Sequence, residues 1–120
     1  MKIRTGCDVE QIARFGELLK KTHFCQRVFT EAEREHIEKS GHPEATAAGI
    51  FCAKEAMAKA LGRGLFGLLP CELGIEWDQR GAPYPRLTGS AAAQYGQIQL
   101  AVSISHSEDT AFATCVALEE

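Results

Sequence analysis

The sequence predicts an α+β fold in which an antiparallel sheet packs against one long helix. The first half of the 120-residue chain carries apolar residues at helical spacing, and the second half alternates apolar and polar residues as strands do. An alanine-rich stretch from about residue 44 to residue 61 is long enough to form one extended helix. Helices followed by strands, rather than alternating with them, are typical of the α+β class.

Three elements are predicted before the long helix. Residues 2–8 read as a short strand, and residues 10–21 as a helix, because Ile12, Phe15 and Leu19 recur on one helical face. A Thr-x-x-Glu capping box begins at Thr30, which predicts a second helix starting at residue 31 and ending near residue 40.

Four strands and a short helix are predicted after the long helix. Residues 72–77 and 84–88 form a hairpin, because a polar Gly-containing turn separates two apolar stretches. A short helix covers residues 89–96. Residues 98–104 and 111–118 then form a second hairpin, since Ile98, Leu100, Val102 and Ile104 alternate as on one face of a strand.

The composition is that of one ordinary folded domain, which we expect to span residues 1–120. Apolar residues make up 45% and charged residues 24%, and the formal net charge is −3. These values exclude collagen-like, low-complexity and strongly disordered chains. No apolar run approaches the roughly 20 residues that a membrane span needs, and the start carries no apolar signal region. We therefore expect a cytoplasmic protein without a membrane partner.

The five cysteines agree with a reducing compartment. Their number is odd, no two have CxxC spacing, and most lie in apolar segments. Reduced thiols that pack as small apolar groups are therefore expected, rather than a disulfide framework.

Charge is distributed unevenly along the chain. Residues 1–30 carry six basic and three acidic residues, whereas the rest carries seven basic and thirteen acidic ones. Nucleic acid is a poor match for this pattern, because binding to its backbone requires a broad positive face. A compact acidic partner fits better, with Arg14 and Lys21 on the outward face of the predicted first helix. The alternative is a helix face that is merely solvated.

Candidate chemistry centres on Asp8, Glu55 and Lys59. Asp8 follows the predicted first strand, where a carboxylate often only caps the next helix. Glu55 and Lys59 lie four apart on the long helix, where they are either an ordinary surface pair or groups that need partners in a buried setting. Just beyond them, Gly62-Arg63-Gly64 forms a loop of the kind whose backbone amides approach phosphate oxygens.

Together these groups suggest a phosphate site with a metal ion. Mg²⁺ typically takes one or two carboxylates together with substrate phosphates. Ser105 and His106 add a hydroxyl and an imidazole at a predicted strand end. The alternative is that these two residues only cap the end of the strand.

Five segments, in this order and spacing, resemble the holo-acyl-carrier-protein synthase family, the small 4′-phosphopantetheinyl transferases. The block Phe51–Gly64, which reads FCAKEAMAKALGRG, combined with an early Gly-x-Asp, is the most specific of them. The segments are Gly6–Phe15, Arg27–Thr30, Phe51–Gly64, Gly81–Pro83 and Val102–His106.

The resemblance implies both an activity and an assembly. Members transfer phosphopantetheine from coenzyme A to a serine of apo acyl carrier protein, use Mg²⁺, and release adenosine 3′,5′-bisphosphate. They are α+β homotrimers whose active sites lie between adjacent subunits. The carrier protein supplies the attacking serine, so the chain itself needs no internal nucleophile.

The resemblance also implies a role for each matched residue. Asp8 and Glu55 would bind Mg²⁺, and Glu55 and Lys59 would be the catalytic residues, with Lys59 facing the coenzyme A phosphates. The base that deprotonates the serine is either Glu55 or a water on the metal ion. Coenzyme A would also contact residues of the glycine loop and of a strand end, namely Gly62, Arg63, Gly64, Ser105 and His106. The acidic carrier protein would meet Arg14, Lys21 and Arg27.

Two positions depart from the family pattern. Ile50 stands where members often carry arginine, and Arg63 stands where the loop commonly has threonine. Neither change removes an implied metal ligand. The positive charge of Arg63 could replace that of the arginine that the family often carries at position 50. Two other functions remain open: an inactive docking module for carrier protein, and a structural trimer in which Glu55 and Lys59 only pair with each other.

Overall fold

The computed structural model describes residues 1–120, apart from the side chain of Phe66. Two short 3₁₀ turns, Leu65–Gly67 and Pro70–Glu72, connect the long helix to the next strand. The elements are β1 (Lys2–Gln11), α1 (Arg14–Leu18), α2 (Thr22–Val28), α3 (Glu31–Lys39), α4 (Pro43–Ala60), β2 (Leu73–Trp77), β3 (Pro83–Leu87), α5 (Gly89–Tyr95), β4 (Gln99–His106) and β5 (Thr110–Glu119).

The strands form two antiparallel sheets, which confirms the predicted class. A three-stranded sheet has the order β1-β5-β4, and β2 pairs with β3 as a separate hairpin. Helix α4 packs on one face of the larger sheet, which we call the inner face. Small residues at alternate positions of β5 make room for the helix there: Ala111, Ala113, Cys115 and Ala117 are all buried.

Two glycines allow α4 to approach the sheet closely. A Cβ atom at Gly6 of β1 would lie 2.1 Å from the backbone oxygen of Ala56. A Cβ at Gly49 of α4 would lie 2.7 Å from the side chain of Ile104 on β4. Helix α4 therefore contacts β1 near the C-terminal end of the helix, and it contacts β4 near the middle of the helix.

A buried ion pair joins three elements. Nζ of Lys54 lies 2.9 Å from Oε1 of Glu33, and both side chains are fully buried. Glu33 also belongs to the predicted capping box at Thr30, which is present, and accepts a hydrogen bond from the amide of Ile75. Lys54 donates to the carbonyls of Pro70 and Leu73. The pair thus connects α3, α4 and β2.

The helix predicted over residues 10–21 is wrong in its bounds, because only residues 14–18 of that segment are helical. Strand β1 continues to Gln11, which pairs with Thr110 of β5, so Asp8 lies within a strand rather than after one. Helix α1 has only five residues, and Lys21 is the N-cap of a separate helix, α2. Arg14 and Lys21 therefore do not share one helix face, although Phe15 is buried as predicted.

The outer face of the three-stranded sheet, turned away from α4, exposes large apolar side chains. Ile3 and Val9 on β1 and Phe112 and Val116 on β5 are between 39% and 63% exposed. We call this set the outer apolar face. A neighbouring molecule can cover such a surface.

Two further expectations can be compared with the fold. All five cysteines are free thiols; Cys52 and Cys115 are buried, as the sequence predicted, whereas Cys25 and Cys71 are partly buried and Cys7 is exposed. Among the helices described, none combines the length and the apolar character that crossing a bilayer requires.

Candidate active site

Three carboxylates lie in the region where β1 passes beneath α4. Asp8 and Glu10 are two residues apart on β1, so both point to the inner face, and each side chain is only 15% exposed. Glu55 lies on α4, and its negative charge interacts with those of Asp8 and Glu10. We call Asp8, Glu10 and Glu55 the carboxylate cluster.

Asp8 is the least satisfied member of the cluster. Its Oδ2 atom is buried and, among the described atoms, has no hydrogen-bond partner. A buried carboxylate oxygen without a partner is costly, so the position favours a cationic ligand. Its neighbour Cys52 is affected too: burial, followed by the charges of Asp8 and Glu10, raises the pKa of this thiol to about 12.

Glu55 and Glu10 both hold their protons more tightly than free carboxylic acids do. Burial raises the pKa of Glu55, Asp8 raises it further, and Lys59 opposes the increase. Burial likewise raises the pKa of Glu10, although its ion pair with Arg14 counteracts this. A crowded group of partly buried acids is the kind of environment in which a carboxylate can accept a proton.

Lys59 lies one helical turn beyond Glu55 and supplies positive charge at the edge of the cluster. Its Nζ donates to the backbone carbonyl of Cys7 at 2.9 Å and lies 3.5 Å from Oδ1 of Asp8. The side chain is 52% exposed, so the ammonium group is accessible to a ligand. The three predicted residues Asp8, Glu55 and Lys59 are therefore brought together, as the sequence predicted.

The cluster suits a hard divalent cation that takes its remaining ligands from substrate phosphates and water. Among the described side chains, no group of three His, Cys, Asp or Glu residues is arranged as a complete metal-binding set. Mg²⁺ does not require such a set, since one or two carboxylates with phosphate oxygens and waters complete its octahedron. The buried, unpartnered Oδ2 of Asp8 fits this role.

The glycine loop begins directly after α4. Gly62 has a φ of +78°, and the amide of Arg63 donates to the carbonyl of Ala58, which ends the helix in the way that favours glycine. The Arg63 guanidinium donates to the Tyr95 hydroxyl at 2.7 Å and to the Gly67 carbonyl at 3.0 Å. Arg63 therefore braces the loop against α5 while remaining exposed.

Ser105 and His106 lie away from the carboxylate cluster of the same chain. His106 is on β4 and Glu10 on β1, and both are in register with Ala111 of β5 between them. Two strand spacings, about 10 Å, separate their backbones, and α4 packs over β5. Ser105 alternates to the opposite face of the sheet.

His106 lines a cavity of about 210 Å³ on the β4 side of α4. One wall is an aromatic stack in which the His36 and Trp77 rings are 3.6 Å apart and nearly parallel. Pro83 and Ile50 also line it. Ile50, which stands where the resembling family often has arginine, is 1% exposed.

The basic residues Arg14, Lys21 and Arg27 are all exposed, but they are spread over α1 and α2. Arg14 forms an ion pair with Glu10. Sequence reasoning did not select Glu10, because it took this residue as the start of a helix. The signal was the Asp8-x-Glu10 spacing, which places two carboxylates on one face only if the segment is a strand.

An edge strand and a long helix bring carboxylates and a lysine together beside a glycine loop. This arrangement is that of an enzyme site for phosphate-bearing substrates. The chain belongs to the 4′-phosphopantetheinyl transferase superfamily, whose family model matches residues 4–115.

Two curated relatives illustrate this membership. The chain is 37% identical over 122 residues to holo-(acyl-carrier-protein) synthase of Caldanaerobacter subterraneus subsp. tengcongensis, covering 98% of this chain and 96% of that protein. It is 39% identical over 117 residues to the protein of the same name from Alkaliphilus metalliredigens, covering 93% and 95%. Both relatives thus match almost end to end.

Solved structures agree with the fold. The ACPS–CoA complex of Chronobacterium ammoniagenes superposes with a TM-score of 0.87 at 29% identity, covering 100% of this chain and 99% of that one. Holo-(acyl-carrier-protein) synthase of Helicobacter pylori in complex with coenzyme A gives a TM-score of 0.83 at 30% identity, covering 94% and 98%.

Proposed function

We propose that this chain is a holo-acyl-carrier-protein synthase, which transfers 4′-phosphopantetheine from coenzyme A to a serine of apo acyl carrier protein. The observation that carries the proposal is the meeting of Asp8, Glu55 and Lys59 beside the glycine loop. Curated relatives that match nearly the whole chain bear this name. Residues 1–120 then act as one transferase domain.

Asp8 and Glu55 would hold Mg²⁺. Held there, the ion would supply Lewis-acid chemistry at the pyrophosphate of coenzyme A. The buried, unpartnered oxygen of Asp8 supports this assignment. The carboxylates must be ionised to bind the metal, so binding it favours their deprotonated forms.

Lys59 and Glu55 would act on the reacting groups. The exposed ammonium of Lys59 is within reach of phosphate oxygens, and its bond to the Cys7 carbonyl fixes its direction. Either Glu55 or a water on the metal ion would accept the serine proton. Positioning and charge neutralisation account for most of the catalysis expected of a phosphoryl-type transfer.

The rest of coenzyme A would contact the glycine loop and the strand end. Gly62 and Gly64 let the backbone approach the ligand, and Arg63 adds a cation. Ser105 and His106 would contact the nucleotide end, and the cavity beside His106 has an aromatic wall suited to a planar base.

The active enzyme would be a homotrimer with sites between subunits. Asp8 lies on β1 and His106 on β4, the two edge strands of one sheet, with α4 and β5 between them. One coenzyme A would reach both groups most directly if a neighbouring subunit supplied the strand end. The outer apolar face offers the surface through which copies could associate.

The acyl carrier protein would dock on the exposed basic residues Arg14, Lys21 and Arg27. Complementary charge orients and accelerates encounters with an acidic partner. The free thiols are consistent with a reducing compartment, which supports a cytoplasmic location.

Mass spectrometry of apo carrier protein tests the reaction directly. Incubation with coenzyme A, Mg²⁺ and the enzyme should add the phosphopantetheine mass to the carrier, and a carrier variant with alanine at the acceptor serine should gain nothing. An unmodified carrier would favour the docking-module alternative. Thermal unfolding of the enzyme would be measured with and without coenzyme A, in the presence and absence of Mg²⁺. A higher unfolding temperature with coenzyme A would exclude the purely structural trimer.

A further inference from the structure

One ion pair connects the carboxylate cluster to the basic docking residues. Glu10 belongs to the cluster, and Arg14, four residues later on α1, pairs with its Oε1 atom. The two ends differ in environment, because Glu10 is 15% exposed whereas Arg14 is 54% exposed. The carboxylate is therefore committed to the site, and the guanidinium is available to an approaching partner.

The pair alters the charge of the cluster. Arg14 forms an ion pair with Glu10, so its positive charge offsets the negative charge of that carboxylate. While Arg14 remains in place, it neutralises one of the three carboxylates beside the proposed metal position. If Arg14 turns away, the cluster attracts a cation more strongly.

We propose that Arg14 exchanges acidic partners, binding Glu10 in the free enzyme and a carboxylate of the carrier protein in the complex, and that this exchange couples metal binding to docking. The inference rests on the proposed function for the identity of the docking partner. The Glu10–Arg14 pair itself is observed within this chain and does not depend on that function.

The coupling acts in both directions. Carrier binding removes Arg14 from Glu10, so the cluster binds Mg²⁺ more tightly. A metal ion held by Asp8 and Glu55 would offset part of the negative charge of Glu10, so Arg14 would be released toward the carrier protein. Because linkage is reciprocal, both effects have the same size. An ion pair with one exposed end suggests a factor of about two to five.

A double-mutant cycle on Mn²⁺ binding tests the exchange without any transfer reaction. Electron paramagnetic resonance measures free Mn²⁺ over the full-length enzyme, with and without coenzyme A. Arg14→Gln should tighten Mn²⁺ binding about fivefold, whereas the same change in a Glu10→Gln background should have little effect. Lys20→Gln is the matched control, because Lys20 pairs with Glu17 at 3.4 Å in the same basic stretch.

Equal tightening by Arg14→Gln in both backgrounds would overturn the proposal, since a general charge effect would explain it. The proposal also fails if Arg14→Gln gives no tightening, or if the wild type binds no Mn²⁺. A second measurement uses a carrier protein whose acceptor serine is alanine: Mn²⁺ should tighten its binding to wild type but not to Glu10→Gln. Transfer by the wild type is scored separately, so failure of the coupling and failure of the proposed function are distinguishable.

Discussion

At the scale of single residues, the unpartnered oxygen of Asp8 yields the sharpest prediction. Asp8→Asn and Glu55→Gln keep the shape of each side chain but remove a charge, so we expect both variants to fold and to lose metal-dependent transfer by roughly a hundredfold or more. Initial rates at increasing Mg²⁺ would measure the loss of transfer, and circular dichroism would show whether the variants fold. Near-normal turnover at saturating Mg²⁺ would refute the metal assignment, and unfolding would indicate a structural role.

Lys21 gives a second test, because it is exposed and lies apart from the carboxylate cluster. Lys21→Glu should raise KM for the carrier protein about tenfold and leave KM for coenzyme A unchanged, since charge reversal affects docking alone. The effect should shrink as added salt screens the charges. Arg80→Glu, at the turn before β3, is the matched control, and an equal loss there would show that Lys21 is merely solvated.

Residue patterns predicted the core of the site better than its periphery. Asp8, Glu55 and Lys59 could be selected because carboxylates and a lysine beside a glycine loop suggest phosphate chemistry wherever the chain brings them together. Glu10 could not, because its position depends on whether residues 9–11 continue the strand. The separation of His106 from this group follows from strand order, which no local pattern encodes.

At the scale of elements, the error at the start of the first helix has a physical explanation. Ile12, Phe15 and Leu19 satisfy helical spacing, and Phe15 is buried accordingly. The pairing of Val9 with Phe112 and of Gln11 with Thr110 nevertheless extends β1. A long-range strand partner thus overrides the local pattern. The alanine-rich α4 and the capped α3 were predictable because length and a side-chain cap are local signals.

Close packing of α4 on β1 makes Gly6 sensitive to any side chain. Gly6→Ala should lower the free energy of unfolding by about 2–3 kcal/mol, because its Cβ would meet backbone rather than a movable side chain. Gly16→Ala is the matched control: its Cβ meets no described atom within 4 Å, and alanine favours helix α1 by about 0.5–1 kcal/mol. Denaturant titration would compare them, and equal stability would refute the close contact.

The stack of His36 on Trp77 links α3 to β2 and should respond to pH. Burial lowers the pKa of His36 below its ordinary value of 6.5, so the folded state resists protonation and the unfolded state takes up the proton first. Stability should therefore fall as pH drops below 6.5. Trp77 is the only tryptophan, so its fluorescence should titrate below pH 6.5 and lose this transition in His36→Gln. A midpoint above 6.5 would contradict the lowered pKa of His36 in the stack.

At the scale of the whole molecule, the outer apolar face predicts self-association. Val116→Glu places a charge on this face and should convert the proposed trimer to monomers with little transfer activity, because burying an unpaired carboxylate is costly. Sedimentation velocity at micromolar concentration would measure the mass. Leu69→Glu is the control, because Leu69 is 55% exposed but lies outside the sheet. A wild type that is active as a monomer would refute the shared site.

The buried pair of Glu33 and Lys54 has a consequence for the order of folding. Its charges lose their water only when α3, α4 and β2 have all come together, so the pair contributes little while any of the three is absent. An interaction that forms so late does not accelerate folding. It instead slows unfolding, so the pair should act mainly on the unfolding rate and thereby on the lifetime of the folded chain.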